Sequence, residues 1–146
     1  MSQATIRALV LVAVSAVLAV GCGNNDTTTT PTPTTDTRSN ETFGATLSVG
    51  QSQFYSFTTL SPGQTDITLV SLRPSGSVNV TLSRTVGLGL GTPQGTDCAL
   101  SSATNTTPAL KAQLSVATNV STYCVKIADI GNLTGAVDYT IRVLHP

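Results

Sequence analysis

The sequence predicts an all-β fold, a small antiparallel β-sandwich running from about residue 41 to the end of the 146-residue chain. Three observations predict it. From Thr42 onward the apolar residues recur with a period of two and not 3.6, the mark of half-buried strands. The periodic segments are short, rich in β-branched residues and bounded by Gly, Pro, Asn or Ser. No stretch after Gly21 carries a helical apolar stripe, and turns recur at the close spacing of a sandwich or barrel.

Taken in order, Phe43, Ala45, Leu47 and Val49 alternate with Gly44, Thr46 and Ser48, which predicts a first strand. Gly50-Gln51 turns the chain into a second strand holding Phe54, Tyr55 and Phe57, and Leu60-Ser61-Pro62-Gly63 ends it. Ile67, Leu69 and Ser71 then alternate with Thr68, Val70 and Leu72. After a turn at Pro74-Ser75-Gly76, Val78, Val80 and Leu82 line one face of a further strand. Near the C-terminus, Tyr123, Val125 and Ile127 form one apolar face, and Val137, Tyr139, Ile141 and Val143 another. The middle is less regular. Val86 to Thr96 reads Val-Gly-Leu-Gly-Leu-Gly-Thr-Pro-Gln-Gly-Thr, which predicts a mobile loop between strands. It is no phosphate-binding loop, because no Gly-Lys-Ser/Thr opens a helix after it.

Residues 1–21 have the parts of a secretory signal: one basic residue, Arg7, then an apolar run from Ala8 to Val20 broken only by Ser15. The run is 13 residues long, short of the roughly 20 needed to span a bilayer. Leu18-Ala19-Val20-Gly21-Cys22 resembles the lipobox of bacterial lipoproteins, in a looser form with alanine where leucine is usual. The resemblance implies cleavage before Cys22 by signal peptidase II and a diacylglycerol on its thiol, with the membrane as partner. An ordinary signal peptide cut near Gly21 is the alternative. Gly23, in place of the aspartate that retains enteric lipoproteins in the inner membrane, points by the same resemblance to the outer membrane of a bacterial envelope.

Residues 22–40 follow as a Thr- and Pro-rich tether without an apolar residue able to order it. Extended, it would reach about 50 Å. Its Ser/Thr-Pro composition suits O-glycosylation, whereas Asn-x-Ser/Thr sequons, such as those at Asn40, Asn79, Asn105, Asn119 and Asn132, are what chance places in a Thr-rich chain. Three cysteines divide into one plus two. In an exported chain Cys98 and Cys124 should pair, closing a loop of about 26 residues worth about 3 kcal/mol in the chain-entropy model. Free buried thiols or a metal are the alternatives, but two cysteines without neighbouring His make a poor zinc site.

The folded segment resembles the bacterial pre-peptidase C-terminal domain in the order of its parts. Gly50-Gln51-Ser52-Gln53-Phe54-Tyr55-Ser56-Phe57 matches the opening Gly-Gln and aromatic strand, and Pro62-Gly63-Gln64-Thr65-Asp66-Ile67-Thr68-Leu69 the next turn and strand. Val78-Asn79-Val80-Thr81-Leu82 takes the place of a central strand, without its acidic residue. Ser121-Thr122-Tyr123-Cys124-Val125-Lys126-Ile127 and Tyr139-Thr140-Ile141-Arg142-Val143 match the last two strands. The resemblance covers residues 44–146 and implies a jelly-roll-like or Ig-like sandwich of about eight strands. It also implies a non-catalytic accessory module. Some relatives bind calcium near the domain start, but only Glu41 and, later, Asp66 offer carboxylates here, and calcium takes six to eight oxygens.

The chemistry-bearing residues give no catalytic set. The lone His145 stands next to the last residue, where a fraying terminus would hold a base poorly. Asp66, Asp97, Asp129 and Asp138 are the folded carboxylates, and Asp129 and Asp138, flanking the turn at Ile130-Gly131-Asn132, read as turn-capping groups. No metal or cofactor is indicated. Without Arg7 the chain has six basic and seven acidic residues, and nucleic acid would require clustered Lys and Arg. The expectation is a membrane-anchored module for an envelope protein. A polysaccharide is the alternative, with Arg73 and Arg84 facing an acidic glycan, but Trp is absent and Tyr55, Tyr123 and Tyr139 read as core. A structural coat without a discrete ligand is the third reading.

Overall fold

In the computed structural model, eight strands nest as four antiparallel pairs. The structure describes residues 36–146, which form one compact unit. The expectations for residues 1–35, Cys22 and the signal segment among them, lie outside the described residues. The strands are β1 (Ser39–Leu47), β2 (Ser52–Thr59), β3 (Gly63–Pro74), β4 (Val86–Gln94), β5 (Asp97–Thr106), β6 (Leu114–Thr118), β7 (Ser121–Ala128) and β8 (Val137–His145). They form two four-stranded antiparallel sheets, ordered β1-β8-β3-β6 and β2-β7-β4-β5. First pairs with last, β1 with β8, then β2 with β7, β3 with β6 and β4 with β5. That nesting is a hairpin folded over on itself, a jelly roll.

The predicted alternation positions the core. Val137, Tyr139, Ile141 and Val143 of β8 are all buried, facing Val125 and Ile127 of β7, with Leu47, Phe57, Ile67, Leu69, Val86, Leu88 and Leu90 completing the cluster. Tyr55 and Tyr123 pack at its margin.

Several elements differ from the sequence expectation. Val86 to Gln94 is no mobile loop but β4, an interior strand paired on both sides. Its apolar residues turn inward, while Gly87, Gly89 and Gly91 face out where β5 lies close. A Cβ on Gly91 would come within 1.9 Å of the Ala99 carbonyl oxygen, and one on Gly89 within 2.8 Å of the Leu100 methyls. These glycines meet a packing need and do not mark a loop.

Val78 to Leu82 is the converse: it has strand alternation but forms no strand. Beyond Ile67 β6 no longer pairs with β3, and the Ala109 and Leu82 N–H groups reach that edge singly, without forming a ladder. Leu82 alone tucks in, its N–H donating to the Leu72 carbonyl at 2.7 Å, while Val78 is 77% exposed. In β3 an irregularity between Leu69 and Ser71 shifts the register, so Leu72 points inward in place of Ser71. Ala45 and Val49, expected on the inner face, are exposed. β1 also starts at Ser39, within the segment expected to be tether.

Candidate functional site

The jelly roll has two unlike ends. At the entry end the described chain begins, and β2 meets β3, β4 meets β5 and β6 meets β7 through turns of two or three residues. At the loop end lie residues 48–51, 75–85, 107–113 and 129–136.

At the entry end Arg38 anchors the chain before β1. Its guanidinium reaches Asp66 Oδ2 and Asp36 Oδ2, each at 2.7 Å. Partial burial pushes the Asp66 pKa up, but hydrogen bonds from Ser115, Gln64 and Arg38 outweigh it and hold the carboxyl below the ordinary value. His145 does not fray. It is 3% exposed, its ring packs on Phe57, and Nε2 lies 2.9 Å from Glu41 Oε1, so strand pairing of β8 with β1 holds the last turn of chain.

The other carboxylates are also engaged in structure. Asp129 Oδ1 accepts N–H groups of Gly131, Asn132 and Leu133, and Oδ2 accepts that of Gly50, which lowers its pKa. Asp138 accepts from the Thr46 hydroxyl at 2.6 Å and from the Gly76 N–H. The two flanking aspartates thus hold different turns. Asp97 accepts from Lys126 at 2.7 Å and from the Cys98 N–H, and both lower its pKa. Among the described residues no three of His, Cys, Asp and Glu gather as a metal site would need.

Cys98 and Cys124 are disulfide-bonded, with Cα atoms 5.9 Å apart. The bond joins β5 to β7, the two strands that flank β4, and the Lys126–Asp97 pair makes the same connection.

The tyrosines are committed to packing. The Tyr55 and Tyr139 hydroxyls meet at 2.9 Å across the two sheets, and Phe43 stacks on Tyr55 with ring centroids 4.8 Å apart. Burial and the Tyr55 hydroxyl push the Tyr139 pKa well above the ordinary tyrosine value. Tyr123 stacks near Phe57 and accepts the Asn119 N–H at 3.0 Å.

Among the described residues, recesses open at a loop-end pocket and over β4. A pocket of about 180 Å³ sits at the loop end between Pro74, Leu82, Arg84 and Leu133, closed by the Thr134–Val137 stretch. Arg84 takes part in none of the ion pairs among the described residues. A groove of about 280 Å³ runs over the outer face of β4, floored by Gly87 and Gly89 and rimmed by Leu100, Ile130, Ala103 and Lys126. The groove exists because the floor has no side chains. Sequence reasoning passed over it by treating these glycines as a loop, although Val-Gly-Leu-Gly-Leu-Gly carries the period of two that reveals a strand with one bare face. The end pocket had no sequence signal, since Leu82 and Leu133 meet only through folding. Arg73 lies in β3 one residue from its end and does not line this pocket.

Fold and recesses define a jelly-roll β-sandwich with one bare sheet face and one loop-built end. No family model matches the chain, and no curated protein matches it.

Proposed function

We propose that this chain is a membrane-anchored, non-catalytic lipoprotein of the bacterial cell envelope whose jelly roll is an interaction module for a protein partner. One observation carries the proposal: the long loops and the end pocket lie at the end of the domain opposite the point where the chain enters. A module hung by its N-terminus would present that end, and the groove beside it, away from the membrane. The Leu18-to-Cys22 lipobox supports the anchor and Gly23 an outer-membrane location, while the order of segments supports kinship with pre-peptidase C-terminal modules. A non-catalytic role fits the carboxylates and His145, which are engaged in turns, strand ends and ion pairs.

A protein partner is favoured over polysaccharide because no tyrosine stands free as a platform for a sugar ring. The test has two arms. Cys22→Ser should move the protein from the membrane fraction to the soluble one; undiminished membrane retention would overturn the anchor. A photo-crosslinking residue at Arg84 or Ala103 should capture one protein in intact cells, while the same residue at Ser115, on the other sheet's outer face, should not. Carbohydrate adducts, or equal capture at all three positions, would overturn the protein-binding assignment.

A further inference from the structure

Exposed apolar side chains scattered singly are ordinary, and most of those here are scattered: Val49, Val78 and Leu110 stand on three separate loops. Leu60 and Val120 are different. Thr59 and Ser121 form the last pair of the β2–β7 ladder, so Leu60 and Val120 follow as neighbours at the tips of two adjacent turns. They are 80% and 61% exposed. The tips are held together from beneath: the buried Thr59 hydroxyl donates to the Asn119 carbonyl and accepts the Ser121 N–H at 3.2 Å.

The backbone around them is prepared to leave water. The Leu60 N–H donates to the Pro146 carbonyl oxygen at 3.3 Å, and Pro62 has no N–H to satisfy. The turns of this end, Leu60-Ser61-Pro62, Gln94-Gly95-Thr96 and Asn119-Val120, contain no charged residue. The loop end carries Arg84, Lys111 and Asp129. The entry end is where the described chain begins, and its charges are paired: Arg38 with Asp36 and Asp66 beside the start of β3, and Asp97, next to the Gly95-Thr96 turn, with Lys126.

We propose that the entry end is a lipid-contacting surface, in which Leu60 and Val120 insert into the headgroup–acyl boundary of the bilayer that carries the anchor. The inference rests on the anchored reading above and adds an orientation to it. A covalent lipid attaches a domain without orienting it, whereas apolar side chains on rigid turns add a second, directional contact. The jelly roll would then stand on the membrane with its axis upright and its loop end outward.

The chain contains no Trp, so a single introduced one reports alone. Full-length acylated protein carrying Leu60→Trp, or Val78→Trp at the opposite end, would be reconstituted into phosphatidylethanolamine/phosphatidylglycerol vesicles with brominated acyl chains. The expected result is bromine quenching and a blue shift for Leu60→Trp and neither for Val78→Trp. Adding Val120→Asp to Leu60→Trp should abolish the quenching while the protein still floats with the vesicles. An unquenched Leu60→Trp in protein that floats, with Cys22 acylated by mass spectrometry, would overturn the lipid contact and leave the anchor standing. Equal quenching at both ends would also overturn it. Protein that neither floats nor carries lipid on Cys22 would overturn the anchor, and this inference with it.

Discussion

The two flanks of the sandwich are built on different principles. On one, β1, β2, β7 and β8 hold aromatic residues that reach across the layers: Phe43 stacks on Tyr55, Tyr55 bonds to Tyr139, and Phe57 lies between Tyr123 and His145. On the other, β4 and β5 approach so closely that β4 carries no side chain on its outer face for three alternate positions. The aromatic flank is held by buried area and directional ring contacts. The glycine flank gives up that area and is held by backbone pairing, the Cys98–Cys124 bond and the Lys126–Asp97 pair. A strand with one bare face can thus occupy the interior of a sheet when covalent and ionic links join its two neighbours across it.

The largest test of that contrast is to remove the covalent link. Cys98→Ser with Cys124→Ser should cost about 3 kcal/mol of stability, as expected for a loop of this size. Hydrogen exchange should show β5 amides losing protection first, with β1–β8 amides opening only globally. Equal loss on both flanks would show that the disulfide serves the whole domain.

Next in size is Gly91→Ala. Its Cβ would lie 1.9 Å from a backbone oxygen that cannot swing aside, so β4 and β5 must separate there. The expected loss is about 1–3 kcal/mol by denaturant unfolding, the range for overpacking. Gly89→Ala should cost less, because the Leu100 side chain above it is 45% exposed and free to rotate away. A reversed order would break the account of β4.

The smallest effect is electrostatic. The Asp97 pKa is lowered in the folded state, so the stability its ionisation contributes is present above the unfolded value of about 3.9 and lost as pH falls through the folded one. Below about pH 4 the Cys98 amide, which donates to Asp97, should therefore exchange faster than its neighbours at matched intrinsic rates. In Asp97→Asn that pH dependence should vanish. Because Asp97 is exposed, the effect on global stability should be slight.

Legibility in the sequence follows the same division. The aromatic flank could be read directly: Val137, Tyr139, Ile141 and Val143 alternate without exception, and Tyr123, Val125 and Ile127 do the same. The glycine flank was misread, because composition signalled a loop where alternation signalled a strand. β5 and β6 escaped notice, since Asp97–Thr106 is mostly Ser, Thr and Ala with little apolar contrast between its faces. Val78 to Leu82 shows the opposite error, a periodic segment that meets β3 only through the Leu82 N–H and forms no ladder. The Cys98–Cys124 pairing was legible from cysteine number and an exported context, but its position around β4 was not. Neither recess was legible as a site, because each is formed by residues distant in sequence.

By itself the sequence determined the class of fold and the pairing of its two later cysteines, because period-two burial and cysteine number are local or countable properties. Only the tertiary structure decided which segments became strands in the middle of the chain, which faces stayed bare, and which turns share an end. Those depend on which sheet edges remain open once the strongest strands have paired, and no residue carries that information alone.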